Sequence, residues 1–149
     1  MTWQWIAEHD PRWDQDKAAA LGDLPPTLFG LGHPEVGRPL GDAWWRVEDG
    51  AGSPIGYGRL DDTWGDAEIL IISAPAVRGS GVGVFVLENL EREAATRQLN
   101  YVYNVVPTRH PEAEAVRDWL TRRGFSATEV GELRKKVASG AAPGGASSS

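Results

Sequence analysis

The 149-residue chain contains no cysteine. Disulfides, thiolate metal sites and a cysteine nucleophile are therefore excluded. No apolar run approaches the roughly 20 residues needed to span a bilayer, so no membrane partner is expected. The opening Met1-Thr2-Trp3-Gln4-Trp5 has neither a basic n-region nor an apolar h-region. No secretory signal is visible in it, and a cytoplasmic protein is expected. Histidine is scarce: His9, His33 and His110 lie far apart, without the spacing of metal ligands, and no metal site is expected. Positive charge is in the minority, with 15 Lys and Arg against 21 Asp and Glu, a net charge of −6. That balance argues against a nucleic-acid surface and better suits a cationic or amine partner.

What remains is an ordinary globular mix, 41% hydrophobic and 24% charged, enough for one domain with a core. We assign that domain to residues 1–137. From Ala138 on, the chain is glycine, alanine, proline and serine, and this 138–149 tail has too little apolar surface to fold.

Punctuation divides the domain. Trp3 to Ala7 reads as a short strand. Asp10-Pro11 reads as an N-cap with proline at the first helical position, opening a helix that ends near Leu21-Gly22. Residues 24–41 carry Pro25, Pro26, Pro34, Pro39 and several glycines, a long irregular segment with a helical turn. Strands are predicted at Trp44–Glu48 and Ile55–Leu60, joined by the turn residues 49–54. After a second turn at 61–66, Ala67-Glu68-Ile69-Leu70-Ile71-Ile72-Ser73 is a nearly continuous apolar run, as in a central strand buried on both faces.

From Val82 the period becomes helical, with Val82, Phe85, Val86, Leu90 and Ala94 on one face. A strand at Asn100–Val106 follows, then a helix from Pro111 to Arg123. Gly124 stands where a left-handed C-cap belongs. Phe125–Val130 and Glu132–Val137 are predicted as a closing pair of strands.

The chemistry lies where the apolar strand meets the 82–96 helix, at Arg78-Gly79-Ser80-Gly81-Val82-Gly83. A glycine-rich turn at a helix N-terminus leaves backbone N–H groups unpaired at the positive end of the dipole. Such a nest suits a phosphate or pyrophosphate. Glycine removes the Cβ atoms that would block approach, and Arg78 adds a cation. Gly-Lys-Ser/Thr is missing, so this is not a Walker A loop. Dinucleotide-binding spacing from Gly79 and Gly81 would need a third glycine where Val84 stands. Taken alone, a purely structural glycine turn is the alternative.

Ser73-Ala74-Pro75-Ala76-Val77-Arg78-Gly79-Ser80-Gly81-Val82-Gly83 resembles the acetyl-CoA motif of the GNAT superfamily: a strand ending in V-x-P, then R/Q-x-x-G-x-G/A. Ser73 stands where valine is usual. Leu120-Thr121-Arg122-Arg123-Gly124-Phe125 resembles the family's second signature, a helix ending in Gly-Phe. The order of elements from Trp44 to Val137 also matches. The resemblance implies an α/β (α+β) fold, with a central, mostly antiparallel mixed sheet flanked by helices. Two parallel strands, about 68–73 and 100–106, would splay to admit the cofactor. It implies acetyl-CoA as co-substrate, with its pyrophosphate on the amides of Arg78, Gly79, Ser80, Gly81, Val82 and Gly83. The pantetheine arm would pair with the main chain of Ile71, Ile72 and Ser73, and Asn104 stands where it can contact the cofactor or bond at the strand end.

The implied reaction is direct acetyl transfer to an amine, on a small molecule or a protein. It needs a base, oxyanion donors and an acid for the leaving thiolate. Glu68 resembles the glutamate at the strand start in histone-acetyltransferase members and is the candidate base, or else a strand-edge glutamate held by an arginine. Strand alternation places it on the face of Leu70 and Ile72. The acid departs from the family: Leu120 stands where many members carry tyrosine, and the usual asparagine is replaced by the His110-Pro111-Glu112-Ala113 stretch. His110 is a candidate acid or a helix cap, and Tyr103 a second candidate acid or a packing aromatic. These two losses also fit a catalytically silent acyl-CoA-binding module that regulates a protein partner. Seven tryptophans point to core packing and a homodimer contact. The sharper expectation is that Trp44, Trp45 and segment 24–41 line an aromatic acceptor pocket.

Overall fold

The computed structural model describes residues 2–138; the expected 138–149 tail thus lies almost wholly outside the described residues. Strands are β1 (Gln4–Ala7), β2 (Ala43–Glu48), β3 (Pro54–Thr63), β4 (Asp66–Ser73), β5 (Tyr101–Asn104), β6 (Ser126–Ala127) and β7 (Leu133–Lys136). Helices are α1 (Gln15–Leu21), α2 (Val82–Thr96) and α3 (Ala113–Arg122), with 3₁₀ turns at Pro26–Phe29 and Pro75–Val77. The sheet runs β1-β2-β3-β4-β5-β7-β6. β4 is its middle strand, as its apolar run predicts, and β4–β5 is a parallel pair. β1–β2, β2–β3, β5–β7 and β6–β7 are antiparallel.

The chain packs as two compact units. The first contains the residues up to Leu60 together with Leu70–Leu90. Its core gathers Trp13, Leu21, Leu31, Trp44, Tyr57, Leu70 and Ile72. On β3, Gly56 and Gly58 leave room for α2: a Cβ on Gly56 would lie 2.7 Å from Val82 Cγ1, and one on Gly58 3.0 Å from Val86 Cγ1. Trp5 stacks on Trp45 with ring centroids 5.5 Å apart.

Lys17 is the unexpected member of this core, only 1% exposed. Its ammonium lies 2.8 Å from Glu8 Oε1 and 3.2 Å from Asp14 Oδ2, and donates to Arg12 O at 2.8 Å. The rings of Trp44 and Tyr57 flank it at 5.4 and 5.1 Å. A buried lysine is tolerable only with such compensation. Burial, followed by the fields of Asp14 and Asp16, pushes the Tyr57 phenol far above its usual range.

α1 begins four residues later than the Asp10-Pro11 signal predicts. The backbone of residues 11–13 is engaged elsewhere: Leu40 N–H donates to Pro11 O (2.9 Å), Trp13 N–H to Arg38 O (2.8 Å) and Gly37 N–H to Trp13 O (2.8 Å). Asp14 then caps the helix by accepting from Lys17 N–H at 2.8 Å.

The second unit contains Asp61–Ile69 and the described residues from Glu91 on. β3 runs on to Thr63, so the turn is tight, and Trp64 and Gly65 both take positive φ (58° and 85°). α3 ends before Gly124, whose φ of 101° fits the predicted C-cap. Of the predicted strand at 125–130 only Ser126–Ala127 forms. Phe125 is instead buried, and Thr128 N–H donates to Glu132 O (2.8 Å), turning the chain into β7. Lys135 on β7 binds both carboxylate oxygens of Glu91 on α2, at 3.1 and 3.0 Å.

Candidate functional site

The candidate residues fall into two groups, the glycine loop of the first unit and the acid–base candidates of the second. After Ser73 the chain makes the Pro75–Val77 turn and enters the glycine loop before α2. Gly79 and Gly81 take φ of 82° and 97°, the left-handed region where glycine alone is unstrained. No atom lies within 4 Å of a Cβ built on Gly79, and only Trp3 Cη2, at 3.8 Å, approaches one on Gly81. The space in front of both is open, and residues 78–81 are exposed. The Ser80 hydroxyl donates to Val77 O, as does its N–H at 3.2 Å, which pins the turn.

Phe85 N–H donates to Gly81 O at 3.0 Å. The amides of Val82, Gly83 and Val84 precede it, where a helix start offers no acceptor of its own. The open turn at Gly79 and Gly81, the helix dipole and the Arg78 cation are features that suit a diphosphate.

Main-chain direction sorts the three β4 residues expected to meet a pantetheine arm. Ala74 N–H donates to Ile55 O (2.9 Å), and Ile72 O points at Gly56, 2.9 Å from where its Cβ would stand. The Ile72 carbonyl thus lies on the β3 side. Alternation turns the polar groups of Ile71 and Ser73 the other way. Ser73 O already accepts a long bond from Arg78 Nε (3.4 Å), leaving its N–H and both groups of Ile71 on that edge.

The near end of β4 holds the acid–base candidates. The β4–β5 ladder pairs Asp66 with Tyr101, Ala67 with Val102 and Glu68 with Tyr103. Glu68 and Tyr103 are thus in-register neighbours on one sheet face, both half-buried. Burial first, and then the negative charge of Glu68, followed by Glu132, Asp61 and Asp66, raises the Tyr103 phenol above its ordinary pKa of 10.0. The phenol stays protonated at neutral pH, as a proton donor must. Arg134, opposite Tyr103 on β7, lies over the Tyr101 ring at 3.7 Å. Asn104 falls on the opposite face from Tyr103, and its Nδ2 donates to Ile69 O at 2.8 Å.

His110 lies in the turn before α3, whose N-cap is Glu112. Its Nδ1 accepts from Glu112 N–H (3.0 Å) and its carbonyl from Ala113 N–H (3.2 Å). Leu120, at the usual tyrosine position, is buried. Trp44 and Trp45 are buried in the first unit, so the predicted aromatic acceptor pocket is not what they build: they are core. Leu28 and Leu31 of segment 24–41 are buried as well. Lys17 was missed, because a lysine two residues inside a helix start reads as a solvated charge.

Among the described residues, no group of three His, Asp or Glu is placed to hold a metal ion. Among them, too, no helix is long and apolar enough to cross a membrane.

A family model described as the acetyltransferase (GNAT) family matches residues 3–125. The chain belongs to the GNAT acetyltransferase family. Acetyl-CoA is the family's co-substrate. The sequence has no significant match among curated proteins.

Solved structures share the fold. A candidate acyl-CoA N-acyltransferase from Klebsiella pneumoniae subsp. pneumoniae aligns over 92% of this chain and 97% of its own, with a TM-score of 0.61 at 18% identity. A candidate acetyltransferase from Salmonella typhimurium, solved with its cofactor acetyl-CoA, aligns over 71% of this chain and 70% of its own, with a TM-score of 0.55 at 20% identity. The PaiA N-acetyltransferase of Thermoplasma acidophilum, in complex with coenzyme A, aligns over 62% and 59%, with a TM-score of 0.53 at 16% identity. These likenesses support a GNAT fold, a mixed sheet flanked by helices.

Proposed function

We propose that this GNAT protein is an acetyl-CoA-dependent N-acetyltransferase that transfers directly to the amine of a small molecule or protein. The observation that carries the reading is the open loop of residues 78–83 at the start of α2, joined by a short turn to a strand edge with main-chain groups to spare. The matched span, 3–125, draws on both units, which supports treating residues 1–137 as one acetyltransferase domain.

Bound acetyl-CoA would supply an activated thioester carbonyl. The amides of residues 78–83, with Arg78, would hold its diphosphate, and Ile71 and Ser73 would align its arm. Glu68 takes a proton from the acceptor ammonium, directly or through a water, so that the amine attacks as a neutral nucleophile. Tyr103 gives its phenolic proton to the departing thiolate. Its raised pKa and its place beside Glu68 favour it over His110, whose ring accepts from the Glu112 N–H. The proton taken by Glu68 can return to Tyr103 between turnovers, because the two are neighbours in the ladder. The second proton, shed by the attacking nitrogen as the tetrahedral intermediate collapses, leaves to water.

Free-thiol release from acetyl-CoA is the test, run over a panel of small and peptide amines with Gly81→Glu as control. Amine-dependent release that Gly81→Glu abolishes supports the enzyme. Tight acetyl-CoA binding with no release on any amine would replace it with a silent acyl-CoA-binding module, a reading that the buried Leu120 also allows.

A further inference from the structure

A parallel ladder that starts at Asp66↔Tyr101 and reaches Glu68↔Tyr103 would next pair Ile69 with Asn104. Both strands contain that residue, since β4 runs to Ser73 and β5 to Asn104. The ladder nevertheless stops. In an uninterrupted parallel pair, Ile69 O would accept the backbone N–H one residue beyond its partner, that of Val105. It accepts the Asn104 side-chain amide instead, at 2.8 Å.

We infer that Asn104 is a positioning residue, a side-chain wedge that ends the β4–β5 ladder at Ile69 and keeps the β4 edge beyond it unpaired. Three features of the position support this. Its backbone is held on the other side by β7, opposite Leu133, so the side chain works from a fixed base. An amide is the shortest side chain that keeps an N–H donor beyond one methylene, so it can satisfy a carbonyl while standing strands apart. The residues it follows, Tyr101-Val102-Tyr103, and the two after it, Val105-Val106, are all strong strand formers. Sequence preference alone would extend the ladder, and asparagine interrupts it at one point. The consequence falls on Ile71 and Ser73, whose main-chain groups stay available on the edge turned away from β3.

In its link to acetyl-CoA the inference rests on the proposed function, but the wedge itself can be read without any ligand. Backbone amide hydrogen exchange of the full chain, followed residue by residue by NMR, compares the wild type with Asn104→Val. Valine keeps strand preference and removes the donor. The expected result is that Val105 N–H becomes protected by about tenfold, the scale of one backbone hydrogen bond. The KM for acetyl-CoA should rise by a similar factor, while the pH profile of kcat stays in place. Asn104→Gln, which keeps a donor, should restore fast exchange at Val105. Unchanged or faster Val105 exchange in Asn104→Val overturns the wedge. Should Asn104→Val fail to fold, Asn104→Ser, too short to reach Ile69 O, is read by the same exchange criterion. A wild type that binds no acetyl-CoA would defeat the proposed function and leave the exchange result to decide the wedge.

Discussion

Gly56→Ala is the substitution whose cost follows most directly from the packing. A Cβ there would stand 2.7 Å from Val82 Cγ1 and 2.9 Å from Ile72 O. Both distances are shorter than real Cβ contacts. The valine is buried at the first position of α2, and the oxygen belongs to the backbone of the middle strand. The backbone oxygen cannot rotate aside, and the buried valine can turn only against its neighbours, so α2 or β4 has to shift. Overpacking a close-packed interior costs typically about 1–3 kcal/mol, and a rigid backbone obstacle places this case near the top. For a chain of this size, about 2–4 °C of Tm is lost per kcal/mol, so a fall of roughly 6–10 °C is expected. The loop before α2 moves with the helix, and acetyl-CoA affinity should weaken in parallel. Near-UV circular dichroism melts, with acetyl-CoA titration of the folded protein at 25 °C, measure both. Gly50→Ala is the control: it is exposed, has no left-handed φ and nothing within 4 Å of its Cβ, and should melt within about 2 °C of the wild type. A Gly56→Ala protein that melts with the control would refute the reasoning.

Lys17→Met should cost about 3 kcal/mol in urea unfolding at pH 7, because Glu8 loses its 2.8 Å partner while Arg46 remains 3.5 Å away; a change under about 1 kcal/mol would mean the pair is merely tolerated. Tyr57 makes stability pH-dependent on the alkaline side. Its folded pKa is raised, so its contribution is whole below the ordinary value of 10.0 and is lost as pH climbs toward the folded value. Melting temperatures should therefore fall from pH 10 upward, and Tyr57→Phe should blunt that fall. Tyr103→Phe should lower kcat by about 10²-fold with acetyl-CoA KM little changed, while Glu68→Gln should lose rate at neutral pH and regain it as the amine deprotonates on its own. Full turnover in both would remove the pair from the mechanism.

Local signals show where sequence could and could not be read. The β4 run, the helical period from Val82 and the glycines at 79, 81 and 124 each express a rule that acts within a few residues: burial pattern, helix period, left-handed φ. Those elements stand where predicted. The start of α1 does not, since Asp10-Pro11 is a sound cap signal that loses to backbone bonds with residues 37–40, far away in the chain. The tryptophans admit two readings for the same kind of reason. Trp44 and Trp45 announce large apolar surface, but whether it faces a ligand or Trp13, Tyr57 and Trp5 depends on what folds over it.

The sequence by itself determined the family, the glycine turn before α2 and the middle strand, because each is written in contiguous residues that obey local rules. Only the tertiary structure decided the rest. It set Glu68 beside Tyr103 in the ladder, turned the Ile72 carbonyl toward β3, and bonded the His110 ring to the Glu112 N–H. It also placed the Asn104 amide on Ile69 O and sealed Lys17 among carboxylates and rings. Apart from the His110 bond, each of these is a pairing between residues distant in the chain, and register and burial exist only once the strands have met.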